Sequence, residues 1–213
     1  MNLKITEIYP SIQGESSFAG FPCVFIRLTG CPLRCKWCDT AYAFEGGKDM
    51  TIPDILDEVK KTGIQLVELT GGEPMAQAAC PDLCAALLKA GYKVLIETSG
   101  SEPIETLPKD VHVVMDIKCP DSRMADRNRM SNLQFLKPTD DLKFVLASRD
   151  DYSWACQFIA EHKLADKVNI LFSCAFGLIQ PKDVAAWMVE DRLTWRLQLQ
   201  MHKYIWHPRT KGV

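Results

Sequence analysis

The sequence predicts an α/β fold, a partial TIM-like barrel of parallel strands with outer helices, formed as one domain over residues 1–213. Three observations predict it. Short β-branched runs alternate with segments of helical period, as parallel strands joined by crossover helices require. About seven core strands fit this length, too few for a closed eight-unit barrel of typical size. Polar or glycine-rich patches also follow the runs, at the strand ends where such folds gather a ligand.

Taken in order, Met1 to Glu7 alternates like a strand, and Cys23 to Thr29 is the first core strand. Thr51 caps a helix that has Pro53 in its first turn and runs through Ile55, Leu56 and Val59 to Gly63. Gln65 to Leu69 is the next strand, and Leu83, Leu87 and Leu88 mark a helix that Gly91 stops. Further strands are expected at Lys93–Glu97, Val111–Ile117, Leu142–Ala147 and Val168–Phe172. Helices are expected at Asp151–His162 and Pro181–Asp191, and Trp195–Gln200 closes the series. Asp121 to Leu136 reads as an irregular helix or a loop. The strand ends carry Cys31, Thr70-Gly71-Gly72-Glu73-Pro74, Glu97-Thr98-Ser99-Gly100, Asp116-Ile117-Lys118, Ser173 and Gln200-Met201-His202-Lys203.

Charge narrows the function classes. Lys and Arg number 25 against 27 Asp and Glu, a net charge of −2, with no long block of one sign. That disfavours a nucleic-acid groove or a polybasic membrane patch. No apolar run approaches the ~20 residues of a membrane span, and the N-terminus lacks a signal-peptide stretch, so a cytoplasmic protein is expected. Nine cysteines, an odd number, then argue against a disulfide framework and for metal or redox chemistry.

Cys31-Pro32-Leu33-Arg34-Cys35-Lys36-Trp37-Cys38 spaces three thiols as CxxxCxxC. Three thiolates hold three irons of a [4Fe–4S] cubane and leave the fourth open to chelate a small molecule. The alternatives are a structural zinc site, for which a fourth ligand is missing nearby, or unconnected buried thiols. Cys80 and Cys84 lie one helical turn apart, without a further pair or a nearby histidine to complete a second site. They, with Cys23, Cys119, Cys156 and Cys174, read as packing residues.

CxxxCxxC after the first core strand, with Gly71-Gly72-Glu73-Pro74 after the second, resembles the radical S-adenosylmethionine superfamily. Within it, Tyr9-Pro10-Ser11-Ile12-Gln13-Gly14-Glu15, Phe25-Ile26-Arg27-Leu28, Trp37-Cys38-Asp39-Thr40 and Gln200-Met201-His202-Lys203 are similar to the 7-carboxy-7-deazaguanine synthase family. Ser16 and Met201 depart from that pattern, where glycine and threonine are common. The resemblance implies that Cys31, Cys35 and Cys38 hold a [4Fe–4S] cluster and that S-adenosylmethionine chelates its open iron and is split to a carbon radical. Trp37, Cys38, Asp39, Gly72, Glu73, Ser99, Asp116, Ile117, Lys118 and Ser173 are the implied contacts to that cofactor. Glu73 is expected to meet its amino group. Thr40 is implied as a ligand of Mg2+.

The implied reaction turns 6-carboxy-5,6,7,8-tetrahydropterin into 7-carboxy-7-deazaguanine with loss of ammonia, in queuosine biosynthesis. For that substrate Arg27 offers a fork to the carboxylate. Ile12, Gln13, Gly14 and Glu15 offer backbone groups and an amide to the ring, and Thr70 a hydroxyl. His202 lies at the end of the last strand, and Val213 on a tail expected to fold over the pocket mouth. An external one-electron reductant such as flavodoxin or ferredoxin, and a second copy in a homodimer, are the implied partners. A glycyl-radical-enzyme activase and a non-catalytic iron–sulfur carrier are the rival readings; the carrier would require four protein ligands to the cluster.

Overall fold

The computed structural model describes residues 2–213, and Met1 of the expected first strand lies outside them. The strands are β1 (Asn2–Ile12), β2 (Pro22–Leu28), β3 (Lys48–Thr51), β4 (Leu66–Gly71), β5 (Lys93–Thr98), β6 (His112–Ile117), β7 (Asp141–Leu146), β8 (Asn169–Cys174) and β9 (Arg196–Gln198). The helices are α1 (Ile52–Thr62), α2 (Cys80–Lys89), α3 (Arg149–Glu161), α4 (Pro181–Glu190) and α5 (His202–Ile205). All strands share one sheet in the order β3-β1-β2-β4-β5-β6-β7-β8-β9, which does not close. From β2 through β9 along that order the strands run parallel, so the partial barrel is built as expected.

Two arms differ from the expectation. β1 is longer than the reading of the first seven residues and pairs antiparallel with both β2 and β3. β3 (Lys-Asp-Met-Thr) went unread because only Met50 of its four residues turns inward, too short a pattern to register as alternation. The caps fall where they were placed. Thr51 and Asp54 form a reciprocal capping box at the start of α1, and Gly63 stops the helix at φ 69°. Residues 121–136 resolve into short 3-10 turns at Pro120–Ser122, Ala125–Arg127 and Met130–Phe135.

Strand alternation sorts the side chains. Val24, Ile26, Val67, Leu69, Val94, Ile96, Leu142 and Phe144 join Ile55, Val59, Leu83, Leu87, Phe158 and Ile159 of the helices in the main core. The opposite face carries Phe25, Arg27, Glu68, Thr70, Glu97, Asp116 and Lys143, which line a cavity. Parallel sheets covered on both faces are apolar on both, so a polar inner face marks a space built for a polar ligand.

The far end of that space is closed by residues 13–21. Phe18 packs edge-on against His112 at 4.9 Å between ring centroids, beneath the cation of Lys93 at 4.1 Å. Ser17 donates from its amide (2.7 Å) and its hydroxyl (2.5 Å) to the carboxylate of Asp141, the first residue of β7.

Candidate active site

A cavity of about 750 Å³ opens at the C-terminal ends of the strands. It gathers the cysteine loop, the Thr70–Gly72 strand end, Ser99, Asp116 to Lys118, the Ile12–Glu15 loop and the C-terminal tail. All the residues expected at the site line it except Glu73 and Ser173.

The cysteine loop is braced at several points. Buried Leu33 anchors it, and the Arg34 guanidinium donates to the Cys31 carbonyl at 2.8 Å while covering Phe44. Lys36 N–H donates to the Ser122 carbonyl at 3.2 Å. Cys31, Cys35 and Cys38 are free, partly exposed thiols at the cavity wall. Burial raises the thiol pKa of Cys31 and Cys35, and the Lys118 cation works against that rise at both. Among the described residues no three Cys, His, Asp or Glu side chains already meet as a metal chelate. The donor chemistry fits a cluster nonetheless: three sulfurs share one wall, with a cation that favours the thiolate form of Cys31 and Cys35. The other thiols stay apart, with Cys23, Cys80, Cys84, Cys119 and Cys174 buried and only Cys119 of these at the lining.

Backbone bonds zip the glycine segment to the start of this loop. Gly72 N–H donates to Leu28 O at 3.2 Å, and Glu73 N–H to Gly30 O at 2.8 Å. A Cβ on Gly72 would stand 2.6 Å from the Gly30 carbonyl carbon and 2.8 Å from the Cys31 Cβ, so no other residue fits there without displacing the loop. Glu73 lies behind the cavity wall and is not in its lining. It is fully buried and accepts from Met75 N–H (2.9 Å), Thr98 Oγ1 (2.8 Å), Ser99 N–H (2.6 Å) and Ser99 Oγ (2.5 Å). These bonds tie it to Met75 on one side and to the end of β5 on the other. Ser173 is 1% exposed and its hydroxyl finds no partner, in register with Gln198 on β9.

Two ionic systems dominate the site. Lys143, buried in mid-β7, pairs with Glu97, with Glu15 at 3.1 Å and with Asp116 at 3.4 Å. Burial alone would lower the lysine pKa, but these three carboxylates raise it well above the usual range. Asp116 also accepts from Lys118 Nζ at 2.6 Å, and despite burial the two lysines hold its pKa below normal. In the second system the Arg27 Nε donates to Glu7 at 2.7 Å and its terminal NH2 to the Tyr9 hydroxyl at 2.8 Å. Tyr42 donates to the same Glu7 oxygen at 2.7 Å. The guanidinium is thus held in place at the cavity wall.

Toward the mouth, His202 does not end a strand as expected. β9 stops at Gln198, and His202 and Lys203 open the short α5. Met201 N–H donates to Gly14 O at 3.3 Å, seating α5 on the Ile12–Glu15 loop. Lys203 Nζ reaches Asp39 at 2.6 Å, and Gln200 Nε2 donates to Glu15 at 3.0 Å. Thr40 Oγ1 lies 3.3 Å from Asp39 Oδ1, an all-oxygen pair suited to a hard cation. Pro208 to Val213 also line the mouth, with Lys211 over the Tyr42 ring at 4.4 Å.

Glu68, Lys143, Tyr9 and Phe25 were not among the expected site residues, and Glu97 was expected only at a strand end, yet all line the cavity. Their signal was a charge inside an apolar strand, as in Leu66-Val67-Glu68-Leu69, or, for Tyr9 and Phe25, a place in the family-like segments Tyr9–Glu15 and Phe25–Leu28.

Residues 25–140 match the family model of the Radical SAM superfamily, the class of protein to which an open parallel barrel with a three-cysteine loop corresponds. A 7-carboxy-7-deazaguanine synthase of Koribacter versatilis (strain Ellin345) is 47% identical over 99% of this chain and 100% of its own. The protein of the same name from Chlorobaculum tepidum is 45% identical over 99% of this chain and 97% of its own. Among solved structures, that of QueE from Escherichia coli superposes with a TM-score of 0.78 at 24% identity, covering 93% of this chain and 94% of that one. The chain belongs to the radical SAM superfamily and, within it, to the 7-carboxy-7-deazaguanine synthase family, whose members are lyases.

Proposed function

We propose that the chain converts 6-carboxy-5,6,7,8-tetrahydropterin to 7-carboxy-7-deazaguanine and ammonia, in queuosine (7-deazapurine) biosynthesis. The observation that carries this reading is the meeting of the cysteine loop, the Arg27 system and the Ile12–Glu15 loop on one cavity. A [4Fe–4S] cluster on Cys31, Cys35 and Cys38, with S-adenosylmethionine, supplies when bound the one-electron chemistry that takes hydrogen from an unactivated carbon. The protein's work is positioning and exclusion of water.

Gly72 lets the cysteine loop seat against the glycine segment, and the cofactor lies among Trp37, Cys38, Asp39, Gly72, Ser99, Asp116, Ile117 and Lys118. Arg27, stiffened by Glu7 and Tyr9, holds the substrate carboxylate. The backbone of Ile12, Gln13 and Gly14, with Glu15, Thr70 and His202, borders the ring, and Val213 sits at the mouth. Thr40 is the proposed Mg2+ ligand, and the ion would polarise the same carboxylate. We further infer a flavodoxin- or ferredoxin-like reductant, a homodimer and a cytoplasmic setting. No described helix is long and apolar enough to cross a membrane.

The test is anaerobic reconstitution with iron and sulfide, then assay with the carboxypterin, S-adenosylmethionine, Mg2+ and a reductant. Deazapurine and ammonia in equal amounts are expected. Cleavage of S-adenosylmethionine without deazapurine would overturn the substrate assignment.

A further inference from the structure

Glu68 extends from the middle of β4 to the cavity, on the same strand face as Thr70 two residues on. It is 1% exposed. Its one protein hydrogen bond comes from Gln13 Nε2, at 2.8 Å to Oε2. The other side-chain carboxylates of the lining each have a cation: Lys143 for Glu15 and Glu97, Lys118 and Lys143 for Asp116, Lys203 for Asp39. Among the described residues, Glu68 is the one side-chain carboxyl of the lining with no cation at ion-pair distance. A buried carboxyl with a single donor carries a large desolvation cost. A ligand that brings further donors to this spot removes that cost.

The Gln13 amide is held by bonds at both of its ends. Its Nε2 is committed to Glu68, and its Oε1 accepts from Glu15 N–H at 2.7 Å and Ser16 N–H at 3.1 Å. What the amide does is orient the Glu68 carboxyl. Beside it, in register on β2, Phe25 stacks on Tyr9 at 5.3 Å and presents a flat apolar wall. A carboxyl against a flat wall fits a planar ring with two adjacent N–H donors on one edge. The 2-amino-4-oxopyrimidine half of a pterin has that edge, in its ring N–H and exocyclic amine.

We propose that Glu68, oriented by Gln13, is the specificity-determining residue that accepts the paired N–H donors of the substrate's aminopyrimidinone edge. The inference rests on the pterin reading above and adds the group that recognises it.

The reconstituted holoenzyme is assayed with the carboxypterin and with the analogue lacking the 2-amino group, for wild type, Glu68→Gln and Glu68→Asp. Wild type should favour the aminated substrate by about 100-fold or more in kcat/KM. Glu68→Gln should raise KM for that substrate by about 10–100-fold, lower kcat far less, and shrink the preference to below about 10-fold. Iron content and uncoupled cleavage of S-adenosylmethionine report whether each variant is assembled. If Glu68→Gln does not assemble, the wild-type comparison decides alone, and equal KM values for the two substrates overturn the proposal. An assembled Glu68→Gln with undiminished preference overturns it too. Wild-type enzyme that makes no deazapurine overturns the pterin reading and this inference together. Wild-type enzyme that makes deazapurine with indifference to the 2-amino group overturns the inference alone.

Discussion

Thr40 stands two positions beyond Cys38, with its hydroxyl 3.3 Å from an Asp39 carboxylate oxygen whose partner oxygen is bonded to Lys203. This couples a proposed cation site to the cysteine loop on one side and to α5 on the other. Thr40→Ala removes one hard oxygen donor, so turnover should fall about 10-fold or more at ordinary Mg2+ concentration. Titrating Mg2+ against turnover checks this, and a variant that keeps the wild-type response removes Thr40 from the site. The same attention to single groups divides the nine cysteines. Three share the cavity wall on one loop, while Cys80 and Cys84 lie inside α2 against the apolar core.

At the scale of elements, the residue 13–21 segment is pinned over the far end of the cavity through one carboxylate. Asp141 accepts from Ser17 twice and from His112 at 3.0 Å. Burial raises its pKa, but the His112 and Ser17 bonds outweigh that and hold it below the ordinary value. A depressed folded pKa means this contribution is present above the unfolded pKa, near 3.9. It is lost as pH falls through the lower folded value. Asp141→Asn should therefore destabilise the protein by about 1–3 kcal/mol at neutral pH. The difference should shrink below about pH 4 as the wild-type carboxylate is protonated. Denaturant midpoints measured across pH test both statements, and a pH-independent difference would contradict the second.

Across the whole molecule, Lys143 is the electrostatic hub. It joins β7 to β5 through Glu97, to β6 through Asp116 and to the Ile12–Glu15 loop through Glu15, at sequence separations up to 128 residues. Replacing it by Met leaves three carboxylates facing one another in a confined space. The expected cost is about 3–5 kcal/mol, from burial of uncompensated charge. Adding Glu97→Gln to Lys143→Met should recover part of it, so the double-mutant cycle in denaturant should be non-additive. Additive losses would show that Lys143 acts by packing alone.

Much of this was legible in the chain, because some physics is local. Thr51, Asp54 and Gly63 bound α1 with groups of their own segment, and short β-branched apolar runs mark β2, β4 and β5 whatever lies beside them. The cysteine spacing and the glycines of Thr70-Gly71-Gly72 are likewise contained in short stretches, so the proposed cluster residues were nameable before the fold, and the proposed cofactor contacts through the family resemblance. Tertiary structure decided what depends on distant partners. The turns of residues 121–136 are ordered by Asn128, bonded to the backbone of Lys118, and by Asn132, bonded to that of Gly100 and Glu102. No periodicity announces such bonds. Glu73 turned to β5, and Glu68 and Lys143 entered the cavity, because strand pairing sets which face each residue occupies and which charges meet there. A sequence shows that a charge lies within a strand; only the assembled sheet shows whether that charge has a partner.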